Sequence, residues 1–474
     1  MEAIKIFLKN EIKDNMFERE IFGIKYWEYV RPFVCVLISK EVSNSESHFA
    51  KVKQNLKMYF PYIKRIKNYF LRKRECDILM VSYTRRMEVD NKYRNNCIDY
   101  YVDYLKEKYN VLTIEEPTWS ITNSNYAHKN PVYTENIYFT DFHEIKLLLK
   151  YKFNILFKTK KYKQILEEYE KISKTVAKWY GKDKVDFKEY FIKSILKLES
   201  SIKYSEKLLL KTKPKLVMFY YMPSVFTVSL ATNANKMNIP TVEVQHGTIS
   251  KYDPVANKCL DASKLKGDIK YVFAFGKNQV NTHALAMKDL NKIKCVGYPY
   301  FEEKIKSLKS KKKDSILIIS QATIGESMAK FASELADIIK DKKIIFKYHP
   351  HELTKDYECL KKDNIIEIRS EKSIYELQEE SMLQIGSYST SVYEGFAFKI
   401  PTLIVKKILG SSETIDMFKD IKRGIYFIDE AKDVLRYMDR NDIIPVDDDI
   451  EKLWVFDSKK KILKEVKNII DEVK

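Results

Sequence analysis

The sequence predicts an α/β protein in which two successive open parallel sheets face each other across a cleft. In two blocks of the chain, apolar runs of strand length alternate with amphipathic stretches of helix length, which is typical of parallel sheets with crossover helices. Several of the apolar runs end in Gly, His-Gly or His-Pro, where a strand must turn sharply into a loop. A lysine-rich stretch at residues 304–313 separates the blocks and indicates a domain boundary.

The first block is predicted to be a sheet domain at residues 76–305, preceded by an N-terminal helical extension at residues 1–75. The extension carries several basic residues but no catalytic pattern. Residues 141–212 contain three helical segments rich in Lys, Tyr, Leu and Ile, which predict a helical insertion in the sheet domain. The predicted strands lie at residues 77–83, 111–115, 215–220, 240–245, 271–276 and 293–297, with helices at 93–109 and 224–237.

The second block predicts a C-terminal sheet domain at residues 306–455, followed by a charged amphipathic helix within residues 456–474. Its predicted strands lie at residues 315–320, 343–348, 365–368, 382–385, 402–405 and 425–428. Ligands of such open sheets bind beyond the carboxyl ends of the strands. The residues that follow the strands are therefore the first candidates for functional groups.

The net charge of +19 comes from 85 basic and 66 acidic residues spread along the chain. This excess predicts an anionic partner, such as a nucleotide, a polyanionic glycan or a membrane surface; the alternative is a lysine-rich composition without a specific partner. No aromatic–basic signature of RNA-binding domains occurs, so nucleic acid is not predicted. The basic amphipathic helices of residues 141–212 could lie on an anionic membrane or pack on the sheet with their lysines in water.

Several motifs are missing from the sequence. It has no GxxxxGK[ST] loop, no GxGxxG after a strand and no DxD-type pair at a strand end, which argues against P-loop hydrolysis, dinucleotide redox chemistry and metal-dependent transfer. The six cysteines never form a CxxC pair, so neither a zinc site nor a disulfide framework is expected. No cofactor or metal is predicted. The start lacks the apolar core of a signal peptide, and we expect a cytoplasmic protein, with peripheral contact to the inner face of the membrane left open.

Two histidines follow predicted strands directly. His246 is preceded by Gln245 and followed by Gly247 and Thr248, which places its imidazole where a general base could meet an acceptor hydroxyl. A histidine bonded to the backbone is the alternative. His349 is fixed by Pro350 at the tip of a later strand, where the imidazole could donate to a phosphate oxygen; a structural His-Pro turn is the alternative.

A polar turn between two apolar strands is the third candidate. Its hydroxyl residues precede a short predicted helix that Pro401 closes, and a helix start favours an anion. Within the helix, Glu394 could accept hydrogen bonds from a ribose, or could close a capping box with Ser391. Gln321 occupies the corresponding turn after the first strand of the same domain. We expect this helix start to receive the phosphates of a nucleotide-activated donor substrate. The residues proposed to bind that donor are Gln321, Pro350, Ser387, Ser389, Thr390, Ser391 and Glu394.

These three motifs, in this order, resemble those of bacterial GT-B glycosyltransferases of capsule and lipopolysaccharide assembly that use CMP-activated keto sugars. They are also similar to those of teichoic-acid polyol-phosphate transferases, which carry a His-Gly-Thr, a His-Pro and a Ser-Ser element. The resemblance covers roughly residues 76–455 by architecture and three short motifs by residue. The acidic-acidic-Gly motif of the sialyltransferases is missing, and either Ser387 or Glu394 stands where Asp is common in the polyol-phosphate group.

The resemblance implies a GT-B fold with two Rossmann-like domains, in which His246 faces the acceptor and His349 and residues 389–391 hold the donor phosphate. It implies an inverting, metal-independent glycosyltransferase with a nucleotide-sugar donor, a CMP-activated keto sugar being favoured, and a glycan or lipid-linked glycan acceptor. The alternatives are a CDP-polyol phosphotransferase and a non-catalytic subunit that docks a polysaccharide machine through residues 141–212. A sugar-nucleotide 2-epimerase shares the fold, but the long helical insertion favours a larger acceptor.

Overall fold

The structure, a computed structural model, contains two parallel β-sheets with helices packed against them, in agreement with the predicted fold class. It describes residues 2–42, 75–83, 87–89, 92–95, 97–116, 137–139, 141–220, 224–247, 249, 259–278, 289–307, 314–352, 354–408, 418, 420–438 and 440–472.

The first part of the chain contains, in order, α1 (Glu2–Lys13), β1 (Glu20–Ile21), β2 (Ile24–Lys25), α2 (Trp27–Val42), β3 (Ile78–Tyr83), β4 (Met87–Val89), β5 (Lys92–Arg94), α3 (Asp99–Leu105), β6 (Val111–Glu116), β7 (Ile137–Phe139), α4 (Asp141–Leu156), α5 (Lys160–Trp179), α6 (Lys188–Thr212), β8 (Leu216–Phe219), α7 (Val225–Lys236), β9 (Thr241–Val244), β10 (Tyr271–Ala274), β11 (Ile293–Cys295) and α8 (Pro299–Ser307). The second part contains β12 (Ser315–Ile319), α9 (Gly325–Ile338), β13 (Lys343–Lys347), β14 (Ile365–Ile368), α10 (Ile374–Glu380), β15 (Ser381–Gly386), α11 (Thr390–Ala397), β16 (Thr402–Val405), β17 (Ile425–Ile428), α12 (Asp447–Leu453) and α13 (Ser458–Asp471).

The first sheet has the strand order β11-β10-β9-β8-β3-β6-β7, and every neighbouring pair is parallel. The chain starts in the middle at β3, moves out to β7, and returns to the other side of β3 with β8. The order therefore reverses between β3 and β8. The core strands β8, β9 and β10 are buried throughout, as expected for a sheet covered on both faces.

The second sheet has the order β14-β13-β12-β15-β16-β17 and is also parallel throughout. Its order reverses between β12 and β15. Parallel strands joined by crossovers bring all their carboxyl ends to one edge, and the reversal point opens a crevice there. The residues that follow β12, β13 and β15 consequently share one edge of this sheet.

The helices α1, α2, α4, α5 and α6 form a layer with its own hydrophobic core beside the first sheet. A buried ion pair holds α1 to α2 in this layer. The Arg31 guanidinium donates to both carboxylate oxygens of Glu11 at 2.6 and 2.7 Å, and the Trp27 indole donates to the same carboxylate at 2.9 Å. Glu11 and Arg31 are at most 1% exposed, so each charge depends on the other for its neutralisation.

The two sheet domains are joined by an aromatic cluster around Trp454. The Trp454 ring lies 5.3 Å from Phe275 and 4.7 Å from Phe301, both from the first domain. Its indole N–H donates at 3.0 Å to the carbonyl oxygen of Tyr393 in α11. After Trp454, helix α13 crosses back and contacts α3 and α8 of the first domain.

Each strand predicted in the sheet domains is present, usually one or two residues shorter. The predicted helix at 93–109 is wrong at its start, because residues 92–94 form β5 in a hairpin with β4. The Asn95 side chain accepts the backbone N–H groups of Cys97 and Ile98 and closes a turn there, which delays the helix to Asp99. The short strand β7 was not predicted. The predicted linker at 304–313 is wrong at its start, because residues 304–307 belong to α8, and residues 308–313 lie outside the described residues.

Removing one charge of the buried pair should destabilise the fold far more than removing an exposed one. In Glu11→Gln the guanidinium of Arg31 stays buried without its counter-charge, so we expect a loss of about 3–5 kcal/mol in the free energy of unfolding. Glu18→Gln is the matched control, because Glu18 pairs with Lys25 at an exposed site, and such pairs contribute little. Urea denaturation measures the unfolding midpoint of each variant. Equal midpoints for Glu11→Gln and Glu18→Gln would show that the buried pair does not hold the helical layer.

Candidate functional site

The proposed donor residues surround the point where the strand order of the second sheet reverses. Ser320 and Gln321 follow β12, and Ser387 follows β15, its direct neighbour in the sheet. His349 follows β13 on the other side of β12. Three strand-end turns that are far apart in sequence therefore share one edge of the sheet at its switch point, where doubly wound sheets bind their ligands.

Helix α11 begins at this crevice with Ser389 as its N-cap residue. The Ser389 backbone is extended (φ −71°, ψ 142°), and its side chain makes no capping hydrogen bond. Thr390 and Ser391 occupy the first turn and are half-buried. The first N–H groups of a helix have no partner within the helix, and the helix dipole adds a partial positive charge. An anionic group would be stabilised at this position.

Buried amide side chains fix the position of α11. The Gln384 side chain lies in β15 beneath the helix and donates at 2.8 Å to the carbonyl oxygen of Val392. The Gln378 side chain donates at 2.6 Å to the carbonyl oxygen of Ser391 and at 3.1 Å to the Gln384 amide oxygen. A Cβ atom at Gly395 would overlap the Gln384 amide, so glycine is required for the helix to approach the strand this closely.

Glu394 lies on the buried side of α11 and does not close a capping box, so that interpretation is wrong. The residue is 6% exposed, and its carboxylate accepts a hydrogen bond of 3.2 Å from the Tyr375 hydroxyl. Burial raises the pKa of the Glu394 carboxyl to about 7, and the Tyr375 hydrogen bond offsets part of that effect. Glu394 is therefore a buried carboxyl that changes charge near neutral pH.

The turn after β13 is held by Glu352, which was not singled out from the sequence. Glu352 is 1% exposed. Its carboxylate accepts hydrogen bonds from the His349 backbone N–H (3.0 Å), the Ser320 hydroxyl (3.0 Å) and the Tyr357 hydroxyl (2.9 Å). It thus ties the turn after β12 to the turn after β13. A Cβ atom at Gly325 would overlap this carboxylate. The signal in the sequence was an acidic residue three positions after a strand-end histidine.

His349 itself is half-buried, and Pro350 after it is exposed and opens a short 3-10 turn. Gln321 is half-buried, and its carbonyl oxygen accepts the Ile324 N–H at 2.9 Å in the turn that leads into α9. The Tyr388 hydroxyl from the turn after β15 contacts the Thr323 hydroxyl from the turn after β12. The turns of the donor side are therefore connected to each other by their own side chains.

The turn after β9 carries His246 on the first domain. The half-buried His246 ring packs edge-on against Tyr220, with 5.9 Å between the ring centres. Gln245 is buried and uses both ends of its amide within the domain: its oxygen accepts the Phe275 N–H at 2.7 Å, and its nitrogen donates to the Gly247 carbonyl at 2.8 Å. Gln245 therefore shapes the turn that presents His246. Thr248 lies outside the described residues.

The His246–Gly247 turn of the first domain lies next to the start of α11 in the second domain. A Cβ atom built on Gly247 would lie 3.5 Å from the Thr390 hydroxyl oxygen, the nearest atom found for it among the described residues. The two turns come from different domains and are separated by more than one hundred residues. This proximity places Gly247, the residue after His246, beside an anion-favouring helix start of the other domain.

Other features of the described residues bear on what this site can bind. Across these residues, no group of three or more His, Cys, Asp or Glu side chains is placed to hold a metal ion. Over the same residues, no helix is long and apolar enough to cross a membrane. A cavity of about 730 Å³ is lined by Pro240 and Tyr271 among others, so it lies at the amino ends of β9 and β10, opposite the edge where ligands of parallel sheets bind.

Neither the protein-family models nor the curated proteins include a match to this chain. Among solved structures, it is similar to a UDP-GlcNAc 2-epimerase from Methanocaldococcus jannaschii, with 14% identity, a TM-score of 0.50, and coverage of 82% of this chain and 99% of that one. A putative UDP-N-acetylglucosamine 2-epimerase from Listeria monocytogenes matches with 11% identity, a TM-score of 0.51, and coverage of 84% and 97%. A variant of the wall teichoic acid polymerase TagF matches with 12% identity, a TM-score of 0.44, and coverage of 89% and 98%. The epimerase similarities show a GT-B-like fold.

The Glu394 carboxyl should make stability depend on pH near neutrality. Its pKa is about 7 in the folded chain against an ordinary value of 4.5, so the folded chain holds the proton more tightly than the unfolded chain. This contribution to stability is fully present below about pH 4.5 and is lost as the pH rises through about 7. Its size is on the order of 3 kcal/mol.

We therefore expect Glu394→Gln, which cannot ionise, to gain stability relative to the natural chain between about pH 5 and pH 8. Thermal denaturation across this range measures the difference. Glu326→Gln is the control. Glu326 is exposed, and hydrogen bonding to Lys330 lowers its pKa, so the stability difference between this variant and the natural chain should stay constant over the same pH range. If the melting temperatures of Glu394→Gln and of the natural chain changed with pH in parallel, the raised pKa of Glu394 would be contradicted.

Proposed function

We propose that this protein is a glycosyltransferase that moves a sugar from a nucleotide-activated donor to a hydroxyl group of a surface-glycan acceptor. The observation that carries the proposal is the proximity of the His246–Gly247 turn to the start of α11, with 3.5 Å between a Cβ built on Gly247 and the Thr390 hydroxyl. A base for the acceptor and a binding place for the donor phosphate then face the same cleft. Transfer between two bound substrates requires this arrangement.

The donor phosphates would lie at the start of α11, near the hydroxyl groups of Ser389, Thr390 and Ser391. The helix dipole and the backbone N–H groups meet the phosphate charge there. His349 would donate from the neighbouring turn to a phosphate oxygen, and its backbone is already held by Glu352 at 3.0 Å. Preorganised donors of this kind stabilise charge as it develops on a leaving group.

In the proposal, Glu394 accepts hydrogen bonds from the ribose hydroxyls of the nucleoside, which requires its buried carboxyl to become accessible when the donor binds. Tyr375 already donates to one oxygen of this carboxylate at 3.2 Å. The fixed amides of Gln378 and Gln384 keep α11, and with it Glu394, in place. Binding to this carboxyl would depend on its charge and hence on pH.

In the proposed reaction His246 accepts the proton of the acceptor hydroxyl, and the oxygen attacks the anomeric carbon of the donor. The bond from that carbon to the phosphate oxygen breaks, and the nucleotide leaves with the bonding electrons. A single displacement inverts the anomeric configuration. The phosphate charge is met by His349 and the helix start, so the proposal requires no metal ion. Closure of the cleft would exclude water and reduce hydrolysis of the donor.

The finer proposal is a CMP-activated keto sugar as the donor. The main alternative is a CDP-polyol phosphotransferase, in which the acceptor oxygen attacks phosphorus at the same helix start and CMP leaves. A non-catalytic docking subunit would bind none of these compounds. A 2-epimerase would convert its nucleotide sugar without any acceptor, so incubation of the donor alone separates it from a transferase.

A panel of CMP, CDP, UDP and GDP compounds in a thermal-shift assay tests the donor half of the proposal. A ligand that binds the folded chain raises the melting temperature according to its affinity, and we expect one nucleotide to stand out, with EDTA present throughout. His349→Ala should weaken this nucleotide about tenfold to a hundredfold, because it loses a hydrogen bond to a charged phosphate. His246→Gln should bind the nucleotide normally yet fail in transfer.

Circular dichroism of both variants should match the natural chain, because neither histidine belongs to a hydrophobic core. Failure of every nucleotide to shift the melting temperature would favour the docking subunit. Normal transfer by His349→Ala would remove that residue from the mechanism, and normal transfer by His246→Gln would remove His246 as the base.

A further inference from the structure

Helix α4 exposes four large apolar side chains to solvent. The exposed fractions are 56% for Leu149, 57% for Phe153, 75% for Leu156 and 62% for Phe157, which directly follows the helix. The rings of Phe153 and Phe157 are in contact, with 4.7 Å between their centres. Single exposed apolar residues are common on proteins, but a contiguous exposed group marks an interaction surface. We call these four residues the α4 patch.

The patch is one face of a helix that is anchored by its opposite face. At about 100° per residue, the four positions fall within an arc of about 100°. Leu147 and Asn154, on the other side, are buried, and Lys150 of α4 donates to Ser200 of α6 at 3.1 Å. The helix is therefore fixed to the helical layer and holds the patch outward.

The chain around the patch is strongly basic. Between Glu144 and Glu167 there are seven lysines and no acidic residue. Two of the seven, Lys150 and Lys161, interact with α6, whereas the other five are exposed. The exposed lysines are Lys146, Lys152, Lys158, Lys160 and Lys163. A solvated apolar face in a lysine-rich part of the chain is complementary to a surface with an apolar interior and anionic headgroups.

We propose that the α4 patch docks on an anionic lipid bilayer. Leu149, Phe153, Leu156 and Phe157 enter the boundary between headgroups and acyl chains, and the lysines contact the phosphates with their stems along the apolar surface. The patch contains none of the residues assigned to the donor or acceptor. The inference is therefore independent of the proposed function.

The charge distribution disfavours two other occupants of the patch. Residues 51–74 of the same chain carry nine basic and no acidic residues, so like charges would meet if this segment covered it. A second copy docked by the same face would likewise bring two groups of lysines together. An anionic lipid surface instead attracts each nearby lysine, which strengthens binding roughly fivefold, the equivalent of about 1 kcal/mol.

Co-sedimentation of the full chain with vesicles tests the proposal. We expect binding to mixed phosphatidylglycerol and phosphatidylcholine vesicles, little binding to phosphatidylcholine alone, and weaker binding as salt screens the lysines. The variant Leu149→Ser/Phe153→Ser/Leu156→Ser should bind at least tenfold more weakly, because each side chain loses the gain from burial. Its melting temperature should not fall, since the three side chains are exposed.

The matched control removes three exposed apolar side chains elsewhere on the protein. Leu260→Ser/Leu435→Ser/Ile444→Ser should bind the anionic vesicles as the natural chain does, because none of these residues belongs to α4. A second variant, Lys146→Gln/Lys152→Gln/Lys160→Gln, should bind more weakly at low salt and lose most of the salt dependence. Equal binding by the natural chain and the serine variant of the patch would overturn the proposal.

Phe153→Trp distinguishes lipid from the other occupants. The fluorescence that this indole adds to that of the natural chain should be typical of a solvent-exposed tryptophan in buffer. With anionic vesicles, the emission should shift to the blue and be quenched by brominated lipid. A blue-shifted indole in buffer would show that protein covers the patch. A change of oligomeric state in the serine variant, measured by light scattering, would identify a second copy as the occupant and refute the membrane proposal.

Discussion

The close packing of α11 on β15 is the constraint on which the candidate site depends. Two buried amides, Gln378 and Gln384, bond to the carbonyl oxygens of the first helical turn, and Gly395 lets the helix approach the strand without overlap. A helix start can stabilise an anion only if its direction is fixed. The buried amides fix α11 from the side that faces the strand, so the side chains at the start of the helix can contact a ligand.

The same helix connects the two domains. Trp454 stacks among aromatic side chains of the first domain and donates its indole N–H to Tyr393 of α11. The position of the donor side is therefore tied to the position of the domain that carries His246. On the donor side itself, Glu352 ties the turns after β12 and β13 together through three hydrogen bonds. The proposed cleft would therefore be bordered by fixed turns of both domains.

The sequence predicted the sheets well because buried parallel strands read as short apolar runs, as in residues 316–319 and 402–405. It also predicted which strand ends carry polar groups, as at His246 and Ser387. It could not show that Gln384 and Glu352 support those turns, because their partners are distant in sequence. Glu394 illustrates the limit: its spacing from Ser391 fits a cap, whereas tertiary packing buries it against Tyr375. Likewise, the spacing of apolar residues in α4 predicts a helix but not which face is left exposed.

The turns after β9, β13 and β15 are proposed to form one nucleotide-binding cleft, and every step of the proposed reaction requires it. A crystal structure of the protein with the nucleotide that stabilises it most tests this directly. We predict phosphate density at the N–H groups of residues 389–391, within hydrogen-bonding distance of His349 and on the side of α11 that faces Gly247. A nucleotide bound elsewhere, such as in the cavity near Pro240 and Tyr271, with the start of α11 unoccupied, would contradict it.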